Sequence, residues 1–129
     1  MERWKKMKTK KNSYFNPSGY SKYGNRKVTV DGITFDSQTE ADRWAWLRIM
    51  ERGGVIKDLR RQVRYELVPK QTDENMKMIE SSVSYIADFV YRDQEGKEIV
   101  EDAKGYKTDV YRIKKKLMLW VHGIRIQEV

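Results

Sequence analysis

Between Ser84 and Lys104 the chain reads SYIADFVYRDQEGKEIVEDAK, and no other stretch limits its fold so tightly. Two runs rich in β-branched and aromatic residues flank RDQEGKE, a polar segment with the glycine that a chain reversal favours. The pattern predicts an antiparallel pair over about 82–91 and 98–104. Strand alternation sends Tyr85, Ala87, Phe89 and Tyr91 to one face and Ile86, Asp88 and Val90 to the other. On the second strand Val100, Asp102 and Lys104 share a side, opposite Ile99, Glu101 and Ala103. If Arg92 pairs with Glu98, Asp88 and Asp102 stand directly across from one another.

Two bare carboxylates so placed repel, and the sheet needs a compensating group. A divalent cation supplies one, because Mg²⁺ takes hard oxygen ligands and completes its shell with water and phosphate. Lys104, two residues along the same strand, would then orient an attacking water or stabilise charge developing on a phosphate. The plainer alternative makes Asp88 a solubility residue on an edge and Asp102–Lys104 a surface ion pair of small energy. Matched parity on facing strands favours the site.

The flanking segments complete an element order. VTVDGITF, Val28 to Phe35, predicts a hairpin, since Asp-Gly is favoured in a type I′ turn. Ser37 is a good N-cap, and Glu40 three residues on has the capping-box spacing, which by itself explains that acid. Ala41, Trp44, Leu47 and Ile49/Met50 give the helix a broad apolar surface, and Gly53-Gly54 stops it. Leu59 to Val68 predicts a strand. Pro69 to about Glu80 is a polar loop in which Met76, Met78 and Ile79 start a further extended segment. Thr108 caps a last helix whose buried stripe is Val110, Ile113, Leu117 and Trp120/Val121. Gly123 closes it, and IRIQEV ends as a strand. The core order is helix, strand, strand, strand, helix, strand: an α/β class with a mixed sheet flanked by helices.

Charge is uneven. The 129 residues carry a formal +8, and nine of the 27 basic residues but one of the 19 acids fall in residues 1–27. The remainder is balanced at 18 of each. The arm over 1–24, with Lys5, Lys6, Lys10 and Lys11 among Trp4, Tyr14, Phe15, Tyr20 and Tyr23, suits phosphates and unstacked bases. A solvated, flexible tail is the bland alternative. Residues 25–129 are expected to form one domain. No apolar run approaches the roughly 20 residues of a membrane span, and no signal-peptide pattern opens the chain. With no cysteine, disulfides and thiolate metal sites are excluded, and a cytoplasmic setting is expected. No histidine or cysteine cluster supports zinc, and no glycine-rich phosphate loop or Ser-His-Asp set is visible.

Glu40 on the first helix, Asp88 on a strand and Asp102-Ala103-Lys104 on the next together resemble the PD-(D/E)XK, or restriction-endonuclease-like, superfamily, whose core is αβββαβ. VTVDGITFDSQTEADRW, SYIADFVY, VEDAKGYKTDVYRIKKKLM and HGIRIQEV more closely resemble a family of small phage and prophage proteins, endonuclease or Holliday-junction-resolvase-like. The resemblance covers roughly residues 22–129. It implies that Glu40, Asp88 and Asp102 ligate Mg²⁺ or Mn²⁺, that the Ala103 carbonyl adds a ligand, and that Lys104 is the catalytic lysine. Gln62 would lie near the metal. Ala87 stands where the superfamily's name has proline, and the 69–80 loop is short for the family.

The implied function is a metal-dependent DNA endonuclease acting on branched DNA such as a Holliday junction, in phage recombination, replication or packaging. It would work as a homodimer in the host cytoplasm if phage-encoded. Lys107, Arg112, Lys114, Lys115 and Lys116 cluster on and before the last helix, and Lys107 and Lys115 would grip phosphates, unless that cluster is only a solvated helix face. His122 is read as structural rather than catalytic, and Trp44, Trp46 and Trp120 as core rather than base-stacking platforms. The rivals are a non-catalytic nucleic-acid-binding recombination accessory, and an inhibitor using the basic arm to occupy a partner's channel.

Overall fold

A computed structural model describes residues 26–103 and 106–129. The arm with Lys5, Lys6, Lys10 and Lys11, and Lys104 itself, lie outside the described residues. The described residues divide into two units, one ending at Gln38 and the other beginning at Thr39.

In the first unit, β1 (Val28–Val30) and β2 (Ile33–Phe35) pair antiparallel with Val28 opposite Phe35. Asp31 and Gly32 both take positive φ, 51° and 78°, the requirement of the type I′ turn that Asp-Gly predicts.

The second unit carries α1 (Gln38–Arg52), β3 (Lys57–Val68), β4 (Gln71–Thr72), β5 (Met78–Glu80), β6 (Val83–Arg92), β7 (Glu98–Asp102), α2 (Asp109–His122) and β8 (Gln127–Glu128). The main sheet runs β3-β6-β7-β8. Its first two pairings are antiparallel, and β7 pairs parallel with β8. A parallel return needs a crossover, and α2 provides it. The class is thus a mixed α and β fold with the expected order, interrupted only by a small β4–β5 hairpin. Among the described residues no helix is long and apolar enough to cross a membrane.

Two tight connections use the same local chemistry. Asp93 Oδ1 accepts from the amides of Glu95 and Lys97, both at 2.9 Å, and Gly96 takes φ 80°. Asp73 Oδ1 likewise accepts from Asn75 and Lys77, at 2.8 and 2.9 Å, but the left-handed position is filled by Met76 at φ 64°. An aspartate that opens a turn ties down the amides that follow.

The sheet has an apolar cluster on each side. Leu47 and Ile56 pack with Phe89, Tyr91, Ile99 and Ala103. Tyr85, Ala87, Val90 and Val100 pack with Tyr111, Met118 and Ile126. These memberships correct the alternation expected of β6. Tyr85 and Ala87 belong with Val90 and not with Phe89 and Tyr91, and Ile86 is half exposed. The side-chain sequence slips by one at Asp88. The cause lies opposite: pairing runs Arg61↔Phe89 and Val63↔Ala87, and the residue between, Gln62, has φ 51°. A left-handed residue inside a strand rotates the chain, so neighbours on either side of it change faces.

Helix α2 also departs from expectation. Thr108 caps it as predicted, its Oγ1 accepting from the Tyr111 amide at 3.0 Å, and Gly123 ends it at φ 68°. Its buried residues, however, are Tyr111 and Met118, whereas Val110, Ile113, Trp120 and Val121 are exposed and Leu117 is half-buried. The helix is apolar on two faces, so periodicity alone does not choose. The polar tips choose. Tyr111 donates to Glu128 at 3.0 Å, Lys115 reaches Glu128 at 2.8 Å, and His122 Nε2 meets the Glu66 carbonyl at 2.6 Å. The His122 ring also stands edge-on to Tyr65. Trp46 and Trp120 are exposed, against the core reading; Trp44 stacks on Phe89 at 6.0 Å between centroids. The last strand is shorter than 124–129.

Candidate functional site

The expected register is found: Arg92 pairs with Glu98 and Phe89 with Glu101. Asp88 and Asp102 are the next residues of the two strands, so they oppose one another one step beyond the last pair. Both are buried, as is Glu40 in the first turn of α1, at 5%, 2% and 4% exposure. With Glu101 they make four buried carboxylates among the described residues of one unit, which is unusual because each must leave water.

Their partners define the geometry. Gln62 Nε2 donates at 3.4 Å to both Glu40 Oε1 and Asp88 Oδ1, so one amide joins the helix acid to the strand acid. Arg61 Nη2 lies 3.6 Å from Glu40 Oε1. Asp88 Oδ2 accepts from the Ala103 amide at 2.8 Å, tying β6 to the end of β7. Asp102 Oδ2 accepts from the Tyr85 hydroxyl at 2.7 Å. The slip at Asp88 makes this possible, since it puts Tyr85 on the side of Asp102. Burial first, then Asp102, pushes the Tyr85 hydroxyl far above its ordinary range, so it stays a donor. Burial and Glu128 raise Tyr111 in the same way.

The site residues read from the sequence therefore separate into groups. Glu40, Gln62 and Asp88 are brought together. Asp102 and Ala103 adjoin Asp88 through the backbone, but the Asp102 carboxylate bonds Tyr85. Among the described residues no three acidic, histidine or cysteine side chains stand close enough to hold a metal ion by themselves. Glu40 Oε1 and Asp88 Oδ1 share one partner, the Gln62 amide nitrogen. Lys107 and Lys115 are brought together, both on Glu128, at 3.3 and 2.8 Å. Those contacts, Lys115 foremost, lower the Glu128 carboxyl to about 2. Two cations on one anion leave a positive excess beside β8.

Three features escaped the sequence reading. Tyr85 as the partner of Asp102 depends on the slip. Arg61 at Glu40 depends on β3 lying beside α1. The third is an ion pair on a fully buried acid: Glu101, 0% exposed, receives Arg43 Nε at 2.8 Å and Nη2 at 2.6 Å, and also the Tyr91 hydroxyl. A signal for it existed. Arg43 follows Glu40 by three residues, hence on the same side of the helix, and Glu101 shares the parity of apolar Ile99. Bonding to Glu101 raises the Arg43 guanidinium further.

One family model, described as "Protein of unknown function (DUF1064)", matches residues 20–123. No curated protein and no solved structure matches the chain.

Proposed function

The chain belongs to that family, and from this premise, which brings no activity with it, we propose that it is a metal-dependent DNA endonuclease of the PD-(D/E)XK type. The observation that carries the reading is the joining of buried Glu40 and Asp88 through Gln62, with buried Asp102 across the strand pair. Apolar residues would fill such positions at lower cost, so acids kept there point to chemistry rather than stability.

Glu40 and Asp88 would hold Mg²⁺ or Mn²⁺, with Asp102 and the Ala103 carbonyl as the further ligands. The bound cation supplies Lewis acidity, neutralising the scissile phosphate and acidifying the attacking water. Gln62 fixes the spacing of the two first ligands, and the Ala103 amide fixes the rotamer of Asp88. Tyr85 orients Asp102. Lys104 is assigned the catalytic ammonium by resemblance. Lys107 and Lys115, sharing Glu128, would draw phosphates toward the end of β7, and the basic arm with Lys5, Lys6, Lys10 and Lys11 would add salt-dependent affinity. Branched DNA is the proposed substrate, cut by a homodimer in phage recombination, replication or packaging.

The test uses the full chain with supercoiled plasmid and a four-way junction, in Mg²⁺, Mn²⁺ or EDTA. Metal-dependent nicking, abolished in Asp88→Asn and Asp102→Asn, is the expected result. Low-salt binding with no cleavage in either metal would overturn it. That outcome would favour the second reading, a non-catalytic binding accessory, which the Tyr85–Asp102 bond supports, since it keeps one oxygen of the third acid occupied.

A further inference from the structure

Helix α2 is apolar on the side it does not bury. Val110 is 61% exposed, Ile113 58%, Val121 46% and Trp120 87%, with Leu117 half-buried among them. At 100° per residue these five occupy a band about 100° wide, the width a helix ordinarily turns toward a core. Nothing in the described unit covers it.

We propose that this band is the contact between two copies of the chain, joined by antiparallel packing of α2 on α2 about a two-fold axis. The spacing itself supports a second copy. Val110, Ile113, Leu117 and Trp120 follow one another at intervals of three, four and three, the seam of a left-handed helix pair. That sequence of intervals reads the same in both directions, as an isologous contact requires. Laid antiparallel, Trp120 of one copy meets Val110 of the other, and Ile113 meets Leu117. The largest side chain faces the smallest, twice, which is how facing positions interdigitate without a void.

The area agrees. The exposed parts of these side chains amount to roughly 500 Å² per copy, dominated by the tryptophan. A stable pair buries about 800 Å² per partner, some three-fifths of it apolar at the centre. Lys114 and Lys116, on the two edges of the band, add to it as the rim. Antiparallel packing also sets the positive start of one helix beside the negative end of its partner. The rim is cationic on both copies, so the lysines oppose one another across the axis. Added salt should therefore tighten the pair, because it screens that repulsion. An acidic partner on the same band would be released by salt instead. The inference stands independently of the nuclease reading.

Sedimentation of the full chain at micromolar concentration tests it. The expected result is a dimer whose dissociation constant falls as salt rises. Ile113→Lys and Trp120→Lys should each weaken it roughly thirtyfold or more, the loss typical of a central anchor. Because both side chains are exposed, the helical circular dichroism and the unfolding midpoint of the dissociated chain should not change. A chain that stays monomeric at low and high salt overturns the proposal, and so does a dimer that survives both substitutions. Deleting residues 1–24 separates the remaining case: a monomer that dimerises only after deletion would mean that the arm covers the band, and would also overturn it.

Discussion

Removing Arg43 should destabilise the protein more than any other single surface-reaching change. In Arg43→Met the Glu101 carboxylate, fully buried, keeps only the Tyr91 hydroxyl and loses two charge-assisted bonds of 2.8 and 2.6 Å. Breaking one side of a buried pair costs about 3–5 kcal/mol, mostly through the charge left behind. The Arg43 side chain is 27% exposed, so water can follow into the gap, which places the expectation near ~3 kcal/mol. For a domain of this size that is a fall of roughly 10–15 °C in Tm. Tyr91→Phe should cost less, about 1.5–3 kcal/mol for one bond to a charged group. The double variant Arg43→Met with Glu101→Leu should recover most of the loss, because replacing both partners leaves no orphaned charge. Urea unfolding followed by circular dichroism at pH 7 reads each midpoint, provided the slope is unchanged. A cost under about 1 kcal/mol for Arg43→Met, or a double variant as unstable as the single, would refute the argument.

Other outcomes follow from local geometry. Met76→Gly should stabilise by roughly 0.5–1 kcal/mol in the same urea assay, since it relieves a left-handed methionine that is 82% exposed and so gives up little burial. Met118→Ala, at a fully buried position, should cost about 2–5 kcal/mol. Glu128 has a folded pKa lowered from 4.5 to about 2, so its contribution to stability is present above the ordinary carboxyl value and is lost as pH falls through that window. Lys115→Met should flatten that acid limb in pH-dependent thermal melts, and a limb of unchanged steepness would remove Lys115 as its cause. Gln62→Ala should lower Mn²⁺ affinity, read by calorimetry without DNA, if the amide sets the Glu40–Asp88 spacing.

Much of the fold was legible because local chemistry decided it. Asp31-Gly32, Thr108, Gly53-Gly54 and Gly123 mark boundaries by backbone requirements that only a few residue types satisfy, and those boundaries are where they were expected. The β6–β7 register was legible as well, since a five-residue turn anchored by Asp93 fixes it. The failures share a cause, which is dependence on something distant. Strict alternation in β6 fails because Gln62, on another strand, turns left-handed. The stripe of α2 was misplaced because both its faces are apolar and the choice rests on Glu128 and the Glu66 carbonyl. For the site, parity found Asp88 and Asp102 and the helix start found Glu40, but neither could show that Tyr85 would claim an oxygen of Asp102.

The reversal of sides at Asp88 has an evolutionary corollary. Upstream of that point β6 belongs with the last helix, and downstream it belongs largely with the first. Drift in the outer helix, including whatever alters its choice of companion, can thus proceed without disturbing the layer that carries Glu40. A lineage built on this plan is free to change its associations while Glu40 stays where it is, whereas Asp102, held by Tyr85, keeps one tie to the last helix's layer.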